Sequence, residues 1–385
     1  MCPRSLFDKN QIFKLLALTM SQKPTVLLLI PHLGGGGAER VAAHLARGLD
    51  SSKYHVHLAL AAQRTSIAET FPDSVQIHDL GARHIRSAAG RILRLVRQLR
   101  PNLVLSSMAH LNFLVLSLRP FFPRGTRVLV RQNGSLLGTG IPRFYGTLYR
   151  LLYPYADLVL CQTSAMAAQV ASHIRRADGL HVVPNPVRIE FIRNTAATTS
   201  SRWTGPGPHL LAIGRLAPEK GFDLLLHALA MLQNQFPTAG LTILGDGPDQ
   251  SALRALSTGL GLSQAVHFAG SVPQPASWFS GATLFVLPSR HEGLPNALLE
   301  AAAAGLPIVS TPASGGIVDL LRNQPGAWLT ESISAQSISA ALQAALSTLA
   351  PNQRFPHSWI DTFSMDRSLA AYERIIDQTL AGTQQ

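Results

Sequence analysis

Short, unbroken apolar runs recur along this chain, each followed by a stretch in which apolar residues return every three or four positions. TVLLLI (Thr25 to Ile30) is the first, and in the AERVAAHLARGL that follows it Val41, Leu45 and Leu49 share one helical face. VHLALA from Val56, LVLSS from Leu103, RVLVRQ from Arg127 and DLVLCQ from Asp157 continue the series. Unbroken rather than alternating runs suit parallel strands covered on both faces of a sheet, so the first half predicts a doubly wound α/β domain. HVVPNPVRIEF closes it, and the polar, Gly/Pro-rich NTAATTSSRWTGPGPHL predicts a linker. The alternation then restarts with LLAIG from Leu210, LTILG from Leu241, AVHFAG from Ala265, TLFVLP from Thr283 and LPIVST from Leu306. Two Rossmann-like domains are predicted, over 23–187 and 188–362, after an N-terminal extension over 1–22. The amphipathic MDRSLAAYERIIDQTL, within 363–385, is expected to pack back onto the first domain.

Composition agrees with two cores in 385 residues: 46% of the chain is hydrophobic and only 14% charged, which excludes disorder. The charge is lopsided. Residues 1–187 hold 22 Lys and Arg against 8 Asp and Glu, a net +14, whereas residues 188–385 hold 11 against 13, a net −2. An anionic partner is expected for the first half. RHIRSAAGRILRLVRQLRP sets Arg91, Arg94 and Arg97 at three-residue steps beside an apolar face of Ile92, Leu95, Val96 and Leu99. Such a basic amphipathic helix suits anionic lipid headgroups, although a core helix with a solvated basic face has the same pattern. A nucleic-acid reader is disfavoured: aromatics are 6% of the chain, and neither a finger spacing nor an aromatic RNA-binding motif occurs. Cys2 and Cys161 form no framework, which predicts a reducing compartment. Lys14 interrupts IFKLLALTM, so no signal peptide is expected, and Met20 competes with Met1 as the start. No apolar run approaches the roughly 20 residues of a spanning helix. The expected place is cytoplasmic, peripheral at the inner face of the membrane.

Candidate chemistry begins at PHLGGGGAER, Pro31 to Arg40, where a glycine-rich turn meets a helix start. Backbone N–H groups there suit an anion, yet the dinucleotide pattern fails, because its third glycine would fall on Glu39 or Arg40. A permissive turn remains the alternative. In GRLAPEKGF, Arg215 follows a strand and Lys220 precedes a helix, a placement that could neutralise a diphosphate or leave two solvated cations. GDGPD, Gly245 to Asp249, is another tight turn. PSRHEGLPNALLEAAAAGLPIVST puts Glu292 in a loop and Glu300 eight residues on, inside an Ala-rich helix apolar enough to be buried. A carboxylate there needs a partner. No Asp-x-Asp triplet occurs, so no metal is expected at the phosphates. His110 stands at a helix start in SSMAHLNFLVL, and Asn133 lies in RQNGS, a second polar strand end that could face an acceptor.

GGGGAER, GRLAPEKGF, GDGP and EGLPNALLEAAAAGLP, in this order and at these separations, resemble the retaining GT-B glycosyltransferases of family 4 over residues 23–380. The resemblance implies two Rossmann-like domains facing each other across a cleft and a UDP- or GDP-linked sugar as donor substrate, with no cofactor. It implies that Arg215 and Lys220 grip the diphosphate, that Glu292 meets the sugar hydroxyls and that Glu300 bonds the ribose. Gly36 and Gly37 would meet the donor across the cleft, and the backbone of Gly293, Leu294, Pro295 and Asn296 would line it. His110 matches the family's active-site histidine in place. With the basic first half, the implied acceptor is lipid-linked or part of a surface polysaccharide. Two departures stand out: Asp319 where relatives carry glutamate, and PNPV where PNGV is common. An epimerase or phosphorylase on the same architecture is the alternative.

Overall fold

A computed structural model describes residues 23–34, 36–62, 70–134, 143–176, 178–200, 203 and 205–382. The expected extension over 1–22, with Cys2 and both candidate start methionines, lies outside them, as do Gly35 and Ser135. The first half forms a parallel sheet of β1 (Thr25–Ile30), β2 (His55–Ala62), β3 (Val75–Ala82), β4 (Leu103–Ser107), β5 (Arg127–Arg131), β6 (Leu158–Cys161) and β7 (Leu180–Val182). Its order is β3-β2-β1-β4-β5-β6-β7. Helices α1 (Gly37–Gly48), α2 (Ala89–Leu99), α3 (Ala109–Leu118), α4 (Arg143–Leu152) and α5 (Ser164–Ile174) accompany it. Alternate residues of one strand feed opposite faces: Leu27 and Leu29 join the core beneath α2 to α5, while Val26, Leu28 and Ile30 join the core beneath α1.

The second sheet is built from β8 (His209–Ile213), β9 (Gly240–Leu244), β10 (Val266–Gly270), β11 (Leu284–Leu287), β12 (Ile308–Ser310) and β13 (Ala327–Leu329), in the order β10-β9-β8-β11-β12-β13. α6 (Ile189–Thr198) leads into it. α7 (Phe222–Leu232), α8 (Gln250–Gly259), α9 (Asn296–Ala303), α10 (Gly315–Leu321) and α11 (Ala335–Thr348) cover it. α12 (Met365–Ala381) closes the chain and returns to the first domain. Its Tyr372, Ile375 and Ile376 are buried in the core with Val26 and Leu28, and Tyr54 donates its hydroxyl to Asp377 at 2.5 Å.

Two expectations need correction. The linker is shorter than its polar composition suggests, because α6 includes Asn194 to Thr198; Ile189 and Ile192, one turn apart, are buried and draw that stretch into a helix. β3, β7 and β13 were also absent from the expected strand series. All three are sheet edges, so they lack the two-sided burial that produces an unbroken apolar run.

Each sheet reverses its order once, between β1 and β4 in the first and between β8 and β11 in the second. A crevice opens beyond the carboxyl ends of the strands at such a reversal, where ligands of α/β sheets bind. The glycine loop follows β1 and His110 follows β4. The Arg215 to Lys220 turn follows β8, and Glu292 follows β11. All four candidate loops therefore belong to the two reversal points.

Candidate active site

At the second reversal point, charges come in pairs. Lys220 Nζ stands 2.7 Å from Glu292 Oε1, and the Ser289 hydroxyl donates to the same oxygen at 2.7 Å. The turn that carries Lys220 is pressed against the end of β11. Gly221 has φ +65°, and a Cβ there would stand 2.1 Å from the Pro288 carbonyl, so glycine is required on both counts. Arg215 is largely exposed and sits 3.1 Å from Glu219. Arg290 forks onto Asp223 at 2.6 and 2.7 Å and donates to the Pro218 carbonyl, which braces the loop between β11 and α9 against the Lys220 turn. Its guanidinium holds the Asp223 carboxyl below the usual range. Sequence reasoning passed over Arg290, although it lies inside the quoted PSRHEG.

Glu300 is buried on α9, and its partner comes from the other domain: Arg40 Nη1 on α1 lies 2.9 Å from Glu300 Oε1. Burial raises the Glu300 carboxyl above its ordinary value, and Arg40 pulls it part of the way back. One turn earlier on both helices, Asn296 donates to the Gly37 carbonyl at 2.9 Å. Gly37 and Asn296 thus meet across the domain boundary.

The glycine loop is organised by Glu39. This buried carboxylate accepts from the N–H groups of Gly34 and Gly36, the latter at 3.2 Å, and its other oxygen stands 2.8 Å from His32 Nδ1. Two amides that could have cradled an anion are already engaged. His110 lies in the first turn of α3 behind Met108, whose φ of +79° is unusual for a residue with a side chain. Burial lowers the His110 pKa, and the neighbouring His32 lowers it further, which favours a neutral imidazole.

The loop from Gly293 to Asn296 is clamped to the first domain. Gln162, at the end of β6, accepts the Leu294 N–H at 2.8 Å. A Cβ on Gly293 would stand 2.6 Å from both the Asn133 carbonyl and the Gln162 side chain, so only glycine fits. Within the first domain Asn133 also donates to Ser107 at 2.7 Å and accepts from Arg131, and the approach of its carbonyl to Gly293 makes it a boundary residue. Asn185, in the PNPV segment, donates to Asn296 Oδ1 at 2.7 Å and accepts from Arg131 Nη2 at 2.6 Å. Arg131 is itself only 2% exposed, and its Nε donates to the Tyr372 hydroxyl at 2.8 Å.

Arg91, Arg94 and Arg97 are exposed on α2, while Ile92, Leu95 and Val96 face the core. Arg97 donates to the Phe121 carbonyl, and Phe121 is 56% exposed. Among the described residues no helix is long and apolar enough to cross a membrane.

Two parallel α/β domains whose reversal points face one another define the GT-B class of glycosyltransferase fold. The chain belongs to glycosyltransferase family 4. The Glycosyltransferase Family 4 model matches residues 35–191, and the Glycosyl transferases group 1 model matches residues 207–348. The lipopolysaccharide core biosynthesis glycosyltransferase LpsE of Rhizobium meliloti is 30% identical over 289 residues, which cover 74% of this chain and 78% of that protein. An uncharacterised glycosyltransferase of Methanocaldococcus jannaschii is 26% identical, and the match spans 60% of each chain. The crystal structure of Anabaena HepE in complex with UDP and glucose superposes with a TM-score of 0.73 at 16% identity, covering 91% of this chain and 99% of that one.

Proposed function

We propose that the protein moves a hexose from a UDP- or GDP-linked donor to a lipid-linked or surface-polysaccharide acceptor, with retention of configuration and without a metal. One observation carries this reading. Arg215, Lys220, Glu292 and Glu300 gather at the carboxyl edge of the second sheet, opposite the glycine loop and His110. When a donor enters, its diphosphate competes with Glu292 for Lys220, and the released Glu292 turns to the hydroxyls of the sugar. Glu300 accepts from the ribose. Leaving-group charge is stabilised by Lys220, by Arg215 and by the amides of Gly293 and Asn296 at the start of α9. Pro295 has no N–H to give, and that of Leu294 is held by Gln162. A neutral His110 serves the donor sugar as a hydrogen-bond partner rather than as a base. In the transfer step the bond from the anomeric carbon to the phosphate oxygen breaks. The acceptor oxygen bonds to the same face of that carbon, and its proton passes to the departing phosphate.

The exposed arginines of α2 beside Phe121 support an acceptor at an anionic membrane surface, as does the similarity to LpsE, a lipopolysaccharide core biosynthesis glycosyltransferase. The membrane arm of this proposal fails if neutralising Arg91, Arg94 and Arg97 leaves partition onto anionic vesicles unchanged.

The deciding experiment is a panel of nucleotide-sugars incubated with the purified full chain, with and without EDTA, and the products followed by NMR. Slow donor hydrolysis that keeps the anomeric configuration and ignores EDTA is expected. Donor epimerised without acceptor, or sugar phosphate formed from a glycoside and inorganic phosphate, would replace the transferase reading. Activity lost to EDTA and restored by manganese would overturn its metal-free part.

A further inference from the structure

α1 and α9 lie side by side across the domain boundary. Asn296 meets Gly37 near their starts, and one turn further on Arg40 meets Glu300. Adjacent residues on α1 do opposite things: Glu39 turns back to tie the glycine loop, and Arg40 reaches across to the other domain. Beyond them the surroundings are basic. Burial together with Arg40, Arg47 and Arg188 lowers the His44 pKa to about 4, and among the described residues the carboxylate that pairs with Arg40 is Glu300. The contact is single-sided, with Nη1 on Oε1, and none of the hydrogen bonds among the described residues reaches Oε2.

Resting on the reading of Glu300 as the ribose acceptor, we propose that Arg40 is a positioning residue of the donor site, supplied by the first domain. It pins one oxygen of Glu300 and leaves the other to receive the ribose hydroxyls. The ribose site is then complete only when the two domains are together, and nucleotide affinity reports on that assembly. Arg40 keeps the carboxylate charged and oriented, and α1 is fixed for the task by Glu39 and by the Gly37 to Asn296 bond. Closing the cleft is thereby coupled to grasping the nucleotide, with no contact between Arg40 and the reacting atoms.

The test uses the full chain and calorimetric titration with UDP, GDP and ADP, then with the 2′,3′-dideoxy form of the one that binds best. Arg40→Met leaves the buried Glu300 carboxylate without its partner, so it is expected to melt below the wild type at neutral pH while still unfolding in one cooperative transition, and binding is compared at a temperature where both are folded. The substitution should weaken the ribonucleotide about tenfold. The dideoxy form should lose little, so the preference for ribose shrinks. Arg40→Lys should restore part of that preference, and in turnover Arg40→Met should raise the donor KM more than it lowers kcat. Glu300→Gln separates the two claims. If Glu300→Gln loses the ribose preference while Arg40→Met keeps it, Arg40 has no positioning role and the Glu300 assignment stands. If Glu300→Gln keeps the full preference, or if none of the three nucleotides binds, the Glu300 reading falls and takes the proposal with it.

Discussion

The two domains share a topology and differ in how they hold charge at their reversal points. At the second, every cation near the candidate site has a carboxylate: Lys220 has Glu292, Arg215 has Glu219, and Arg290 has Asp223. Beside the first, at the end of β5, Arg131 is buried among neutral groups, the Tyr372 hydroxyl and the side chains of Asn133 and Asn185. A cation paired to a carboxylate can exchange that partner for an incoming phosphate at little net electrostatic cost. A cation woven into neutral acceptors cannot leave without stranding them. On the function proposed above, the difference separates a domain that binds from a domain that braces.

The sharpest way to break this comparison is to delete the exchangeable cation. Lys220→Ala should reduce kcat/KM for the donor by about 10² to 10³, the range expected when one donor to a developing anion is lost. It also leaves the buried Glu292 charge without its partner, so the donor phosphate would meet repulsion in place of attraction. A Lys220→Ala enzyme with unimpaired initial rates would show that the paired cations are only scaffolding. Next in size is the bracing cation. Arg131→Met strands the three neutral groups at the domain boundary and should destabilise the chain by about 2–4 kcal/mol in urea unfolding. Loss of donor affinity with no loss of stability would instead make Arg131 a binding residue.

The contrast also explains what could be read in advance. The central strands announce themselves because a strand buried on both faces must be apolar throughout, as TVLLLI is. The edge strand VQIHDLGA of β3 has neighbours on one side only, keeps Gln76, His78 and Asp79 in solvent reach, and gives no such run. Arg215, Lys220, Glu292 and Glu300 stand out because local loop and helix signals surround them. Arg40, Arg131, Gln162 and Asn185 do not, since each acquires its role from a partner remote in sequence. Asn185 meets Asn296 across 111 positions, Gln162 meets Leu294 across 132, and Arg131 meets Tyr372 across 241. One hint was present: a carboxylate predicted on a buried helix demanded a partner, and Arg40 was already in view in GGGGAER.

Glu300 supplies the smallest expected effect and the finest division between binding and bracing. Because burial disfavours its charged form, the folded protein holds the Glu300 proton more tightly than the unfolded chain does. Its contribution to stability is therefore fullest below the ordinary carboxylate range and is lost as pH rises through the raised folded value. Glu300→Gln copies the protonated form at every pH. At neutral pH the variant should be more stable than the wild type by on the order of 1 kcal/mol, and the two should converge in acid. The partly exposed Arg40 left behind costs little, since water can solvate it. Thermal melts across pH 4 to 8 would read this directly. A variant less stable at neutral pH would mean that the Arg40 pair outweighs the burial of Glu300, and the carboxylate would then belong with the bracing groups of the first domain. A variant more stable yet weaker for the ribonucleotide would mark Glu300 as a charge kept at the expense of the fold for the sake of the ligand.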